Sequence, residues 1–207
     1  MLLFLVMANL MLKEFSTLLI MSGSSSTRLL LLFFIFLFFH NLGIYVGFIY
    51  CLFEFTEYTN FDECLQYIED YMIKHGPFDG LLGFSQGAIL SGGLPGLQEK
   101  GVALTKVPKV KFLIIIGGAK FRAPSVVEKA YSSQIGCPSL HFLGEHDFLK
   151  EYGKELIDSC VEPVVIHHPK GHTVPRLDDK SLNTMMSFIE RIQNDISENK
   201  EEVQSMS

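Results

Sequence analysis

The sequence predicts an α/β fold, a parallel sheet with helices on both faces, and three observations carry that prediction. Short apolar runs that read as buried strands alternate with amphipathic stretches from residue 54 onward. A Gly-x-Ser-x-Gly turn, Gly83-Phe84-Ser85-Gln86-Gly87, follows one such run and opens a helical stretch. The composition, 48% hydrophobic and 19% charged over 207 residues, is that of a folded chain long enough for one domain with a sizeable core.

The elements follow in order. Asn60-Phe61-Asp62-Glu63 has a capping-box arrangement, and Phe61, Leu65, Ile68 and Met72 recur at helical spacing until Gly76-Pro77 closes the segment. Buried strands are predicted over 78–83, 111–116, 139–143 and 164–167, because these runs are too short and too apolar for surface helices. Helices are predicted between them over 86 to about 91, 125–132, 149–159 and 181–196. Gly92-Gly93 and Pro95 are expected to cut the first of these short. Residues 197–207 read as a frayed polar tail. The chain therefore divides into an α/β domain at 54–196, that tail, and a front segment of different character.

Residues 1–53 hold only Lys13, Glu14 and Arg28 as charges, so this stretch carries +1 and, with −6 overall, the remaining 154 residues carry −7. The same stretch holds 9 of the 18 Phe and 14 Leu, and residues 29–53 run without a charge for 25 residues. That is long enough to cross a bilayer as a helix, and Arg28 before it with Glu54 and Glu57 after it would set the C-terminal part away from the cytosol. A second reading is that 1–53 is a gene-model artefact, since pyrimidine-rich non-coding DNA translates into runs such as Phe33-Phe34-Ile35-Phe36-Leu37-Phe38-Phe39. On either reading 29–53 is too long to serve simply as one strand. A cleaved signal peptide fits less well, for no basic residue precedes the opening apolar run and no small-x-small pattern ends it.

The acidic balance, with pI near 5.6, argues against nucleic acid as a partner. Cys51, Cys64, Cys137 and Cys160 show neither a C-x-x-C nor a zinc spacing, and no N-x-S/T site occurs, which points to a reducing, cytoplasmic interior.

The chemistry begins at Ser85. A serine on a sharp strand-to-helix turn lifts its hydroxyl above the sheet edge, and small flanking residues are needed where the turn crowds its own backbone. The helix that starts there presents the Gln86 backbone N–H to a developing oxyanion. Such a serine needs a base, and the base needs an orienting acid. Asp147 lies in Gly144-Glu145-His146-Asp147, straight after a predicted strand and so at the same sheet edge as Ser85. A helix N-cap is its structural alternative, and Glu145 in the same loop is the fallback acid. Asp178 and Asp179 follow the histidine and break the Ser, Asp, His order. His172, in Lys170-Gly171-His172-Thr173-Val174-Pro175 after the last strand, is placed to be the general base. His167-His168 with His172 could be read as a metal cluster, but no cysteine or carboxylate completes a familiar ligand spacing. His141 on a strand reads as a core residue and His75 as a helix C-terminal residue.

Three stretches together resemble the FSH-type serine hydrolases of the α/β-hydrolase fold, among them plant esterases similar to the ovarian-cancer-associated esterase. They are Pro77 through Ala88, the strand at 112–116 running into Gly117-Gly118-Ala119, and Gly171-His172-Thr173-Val174-Pro175. The resemblance spans about residues 54–193 and implies Ser85 as nucleophile, Asp147 as orienting acid and His172 as base. It implies hydrolysis of carboxylic esters, with thioesters as a variant, on small acyl substrates and without a cofactor. Family members open with a strand ending in a Leu-His-Gly-type turn that supplies a second oxyanion N–H. That strand and its helix are expected to be missing or replaced here. The competing expectation is a catalytically impaired, membrane-tethered binding protein anchored through 29–53.

Overall fold

The computed structural model describes residues 29–31, 58 and 60–205. Five strands, β1 (Leu29–Leu31), β2 (Gly80–Phe84), β3 (Phe112–Ile116), β4 (Ser139–Gly144) and β5 (Val164–His168), lie side by side in that order, and every neighbouring pair is parallel. Between and after them come α1 (Phe61–His75), α2 (Gln86–Glu99), α3 (Pro124–Ala130), α4 (Lys150–Ile157) and α5 (Asp179–Ser205). Parallel strands need crossovers, and the helices supply them while covering the sheet.

Strand alternation sorts the core into two layers. Leu81, Leu113 and Ile115 point to one face and pack with Ile68 and Met72 of α1, Leu94 and Leu97 of α2 and Leu156 of α4. Leu82, Ile114, Ile116 and Phe142 point to the other, where Met185, Phe188, Ile189 and Ile192 of α5 meet them at helical spacing. With both faces covered, β2 and β3 are buried along their whole length, which is why their sequences are apolar without alternation.

The structure departs from expectation at four places. The first is β1, because Leu29–Leu31 forms a strand in register with Gly80–Leu82 inside the segment read as membrane-spanning or non-native. Three consecutive leucines satisfy their backbone groups on the edge of β2, and the sheet gains a neighbour there. The rest of the candidate span lies outside the described residues, among which no helix is long and apolar enough to cross a membrane.

The second is α2, which does not stop near residue 91 but runs through Gly92, Gly93 and Pro95 to Glu99. Its glycines answer to packing: a Cβ at Gly92 would come within 2.9 Å of Leu156, one at Gly93 would strike the Phe121 ring, and one at Gly96 the Ala130 carbonyl. Close approach of neighbours outweighs the weak helix propensity of glycine. Third, Asn60 adopts a left-handed conformation (φ 56°, ψ 34°) and makes no side-chain cap bond, so the capping box at α1 is not formed. Fourth, α5 continues to Ser205, where the polar Glu, Lys and Gln residues of the expected tail are good helix formers with no Gly or Pro to break them.

Candidate active site

Ser85 stands between β2 and α2 with φ 56° and ψ −119°, a conformation that L-residues rarely adopt. Two features hold it there. The Ser85 N–H donates to the Ile116 carbonyl at 3.0 Å, tying the turn to the end of β3, and the Ser85 carbonyl accepts from Ala88 and Ile89 in the first turn of α2. A side chain at Gly83 would collide with the backbone of Gly87 and Ala88, so only glycine lets the chain double back this tightly. The Gln86 N–H at the start of the 14-residue α2 has no acceptor among the described residues and sits at the positive end of that helix.

Asp147 follows β4, with a carboxylate only 2% exposed. Its Oδ1 accepts the Leu149 N–H at 2.8 Å, a local turn bond that steadies the approach to α4, whose N-cap position falls at Leu149 rather than at Asp147. Both oxygens lie 3.0 Å from His172 Nδ1. Burial works to raise the Asp147 pKa, but the hydrogen bonds from His172 and the Leu149 N–H, with the fields of His172 and His168, outweigh it and hold the carboxyl below its usual range.

His172 lies in the loop between β5 and α5, and its Nε2 is 2.9 Å from Ser85 Oγ. With Nδ1 facing two carboxylate oxygens, the network assigns the ring proton to Nδ1 and leaves the Nε2 lone pair for the serine hydroxyl. The loops that carry Asp147 and His172 are laced together: Glu145 N–H donates to the His168 carbonyl at 2.8 Å and His146 N–H to the Lys170 carbonyl at 3.2 Å. Lys170 N–H donates to His168 Nδ1 at 3.3 Å. Beneath the pair passes Gly117, at φ +55°, where a Cβ would fall 2.9 Å from His172 Nδ1 and Cε1 and 3.0 Å from Asp147 Oδ2.

Ser85, Asp147 and His172 thus meet at the C-terminal edge of the sheet, from β2, β4 and the loop after β5. Glu145 is exposed and takes no part in these hydrogen bonds. His167 is exposed, and His168 is buried beside Asp147 rather than turned toward Ser85. His141 is 3% exposed on β4 with Nε2 3.0 Å from Ser139 Oγ. Among the described residues no group of three or more His, Cys, Asp or Glu side chains is arranged to hold a metal ion. The chain's His75-Gly76 pair closes α1 rather than a strand. Residues that sequence reasoning did not assign to the site are Gly117, His168 and the rings of Phe84 and Phe148. Of these, Gly117 and Phe84 fell within stretches shared with the family, His168 was weighed only as part of a metal cluster, and Phe148 carried no signal.

A parallel sheet covered on both faces, with a serine on a strained strand-to-helix turn at its edge, defines an α/β hydrolase. A family model described as serine hydrolase (FSH1) matches residues 41–184, and the chain belongs to that family. The match begins inside the stretch set apart by composition. A dihydrofolate reductase of Schizosaccharomyces pombe is 36% identical over 124 residues, 58% of this chain and 27% of that protein. Esterase OVCA2 of Xenopus tropicalis is 39% identical over 103 residues, 48% of this chain and 43% of that protein. The chain therefore spans between about a quarter and a half of the length of these curated relatives. The crystal structure of Zea mays acyl-protein thioesterase 2 aligns with a TM-score of 0.47 at 15% identity, covering 63% of this chain and 64% of that one.

Proposed function

We propose that this chain is a serine esterase working through Ser85, His172 and Asp147. The observation that carries the reading is the unbroken line of hydrogen bonds from Ser85 Oγ through the His172 ring to the Asp147 carboxylate, at 2.9 and 3.0 Å. His172 Nε2 takes the proton of Ser85 Oγ as the oxygen attacks the ester carbonyl, and Asp147 keeps the ring in the right tautomer and stabilises the imidazolium. The Gln86 N–H faces the tetrahedral oxyanion. The imidazolium then protonates the departing alcohol, leaving an acyl-Ser85 ester. Water, deprotonated by the same Nε2, releases the acid and restores the serine.

Carboxylic esters are the proposed substrates, with thioesters as a variant of the same acyl transfer. The esterase name of the Xenopus tropicalis relative supports this class. A reducing, cytoplasmic setting accords with Cys64, Cys137 and Cys160 all being free thiols.

The test is covalent. A fluorophosphonate probe added to the full chain should form an adduct that peptide mass mapping locates on Ser85, and Ser85→Ala should lose both labelling and nitrophenyl-ester hydrolysis. Labelling that survives Ser85→Ala would sink the assignment.

A further inference from the structure

The His172 ring is fixed at two edge atoms, Nδ1 on Asp147 and Nε2 on Ser85. These two hydrogen bonds and the Cβ–Cγ bond set the plane of the ring, but they do not by themselves keep the side chain from swinging with its loop. A loop residue 16% exposed needs something on its faces to stop that motion. Two aromatic rings meet it: Phe84 stacks on it at 4.9 Å between centroids and 28° between planes, and Phe148 lies against it at 4.6 Å and 50°. Each comes from the neighbour of another site residue, Phe84 from just before Ser85 and Phe148 from just after Asp147.

The two rings differ in what else explains them. Phe84 is 8% exposed and belongs to the core layer under α5, so packing accounts for it. Phe148 is 44% exposed, yet its backbone is held between Asp147 at 7% and Leu149 at 3%. A large apolar ring kept in partial contact with water adds little to the core, and one contact the fold provides for it is the His172 ring.

We propose that Phe148 is a positioning residue that, with Phe84, clamps the His172 imidazole in the plane running through Ser85 Oγ and the Asp147 carboxylate. When His172 becomes an imidazolium during acyl transfer, the neighbouring π-systems favour the positive charge. Misplacement of a reacting group by about an ångström can cost about 100-fold in rate, so loosening this ring should be visible in kinetics.

The proposal rests on His172 being the base, and the experiment separates the two. The full-length protein and its Phe148→Ala, Phe148→Leu and Phe148→Tyr forms are compared by saturation kinetics of fluorophosphonate labelling and by the downfield imidazole N–H proton resonance, assigned by its loss in His172→Ala. Phe148→Ala should lower the maximal labelling rate about 10-fold to 100-fold at unchanged half-saturating probe concentration. Its N–H resonance should broaden or vanish while the thermal midpoint stays near that of the parent. Phe148→Tyr should restore both readouts and Phe148→Leu restore them in part; Phe148→Leu also decides the matter should Phe148→Ala fold poorly. An unchanged rate with the resonance intact overturns the clamp. So does a rise in half-saturating concentration alone, which would make Phe148 a probe contact. A parent that shows the resonance but no labelling at Ser85 overturns the esterase reading, and the resonance in the variants still decides the clamp.

Discussion

The backbone of Gly117 passes so close beneath His172 that a single added carbon would reach 2.9 Å from its Nδ1. The end of β3 thereby forms the floor on which the acid–base pair rests, and glycine is required twice over, by space and by its φ of +55°. Gly117→Ala is expected to cost about 1–2 kcal/mol of stability from the left-handed backbone. The Cβ should also push His172 away from Ser85, slowing fluorophosphonate labelling about 100-fold. Urea midpoints and labelling rates measured together check this. Labelling at the parent rate would show that the floor is not rigid.

Asp147→Asn keeps the shape of the acid but removes its charge, so His172 Nδ1–H loses its anionic acceptor and the ring can turn to the wrong tautomer. Esterase activity should fall about 10⁴-fold. Stability gives a second readout. The folded Asp147 pKa is depressed, so its contribution is present above the unfolded carboxylate range and is lost as pH falls through the lower folded value. The asparagine variant should lack that acid-side loss. Equal acid-side slopes in the two proteins would contradict the assigned Asp147–His172 hydrogen bond.

The histidines of the last strand and loop should separate into three grades. His172→Ala should abolish labelling, and His167→Ala, on the exposed face, should leave it unchanged. His168→Ala should lower it a few-fold, because His168 Nδ1 accepts the Lys170 N–H in the turn that presents His172. His168→Asn should recover the loss, since its side-chain oxygen can take that hydrogen bond. Equal loss from all three alanine variants would instead indicate a shared structural or metal-binding role.

The elbow could be read from sequence because its constraints are local: a buried strand, a small residue where the chain turns back, a serine and a helix start all lie within about ten residues. Asp147 and His172 were legible for a related reason, since each sits in a loop that follows a strand of a parallel sheet, and such loops share one edge. What could not be read depends on partners distant in sequence. The glycines of α2 look like helix breakers until Leu156, Phe121 and Ala130 are seen against them. Leu29–Leu31 looks like part of a longer apolar run until β2 offers it an edge. Phe148 beside a charged loop looks like an incidental exposed ring until His172 is found next to it.

His141 gives a prediction about stability at acid pH, independent of the reaction. Its ring is buried in β4 between Ile115 of β3 and Val165 of β5, with Nε2 3.0 Å from Ser139 Oγ. Burial lowers its pKa from the ordinary 6.5 to about 4, so the folded protein keeps the ring neutral where the unfolded chain takes up a proton. The unfolded state then binds more protons across that window. Stability should therefore decline as pH falls from about 6.5 and level off below about 4. A shift of this size corresponds to about 3 kcal/mol. Asp147 and His168, both with lowered pKa values, add acid-side losses of their own, so the comparison must be with a variant that removes His141 alone. His141→Gln puts an amide near the position of Nε2 and keeps a partner for the Ser139 hydroxyl. Urea midpoints at about pH 7, 5.5 and 4.5 should fall less steeply in that variant than in the parent. Parallel pH slopes would mean that His141 is protonated in the folded state, and the buried neutral ring would have to be abandoned.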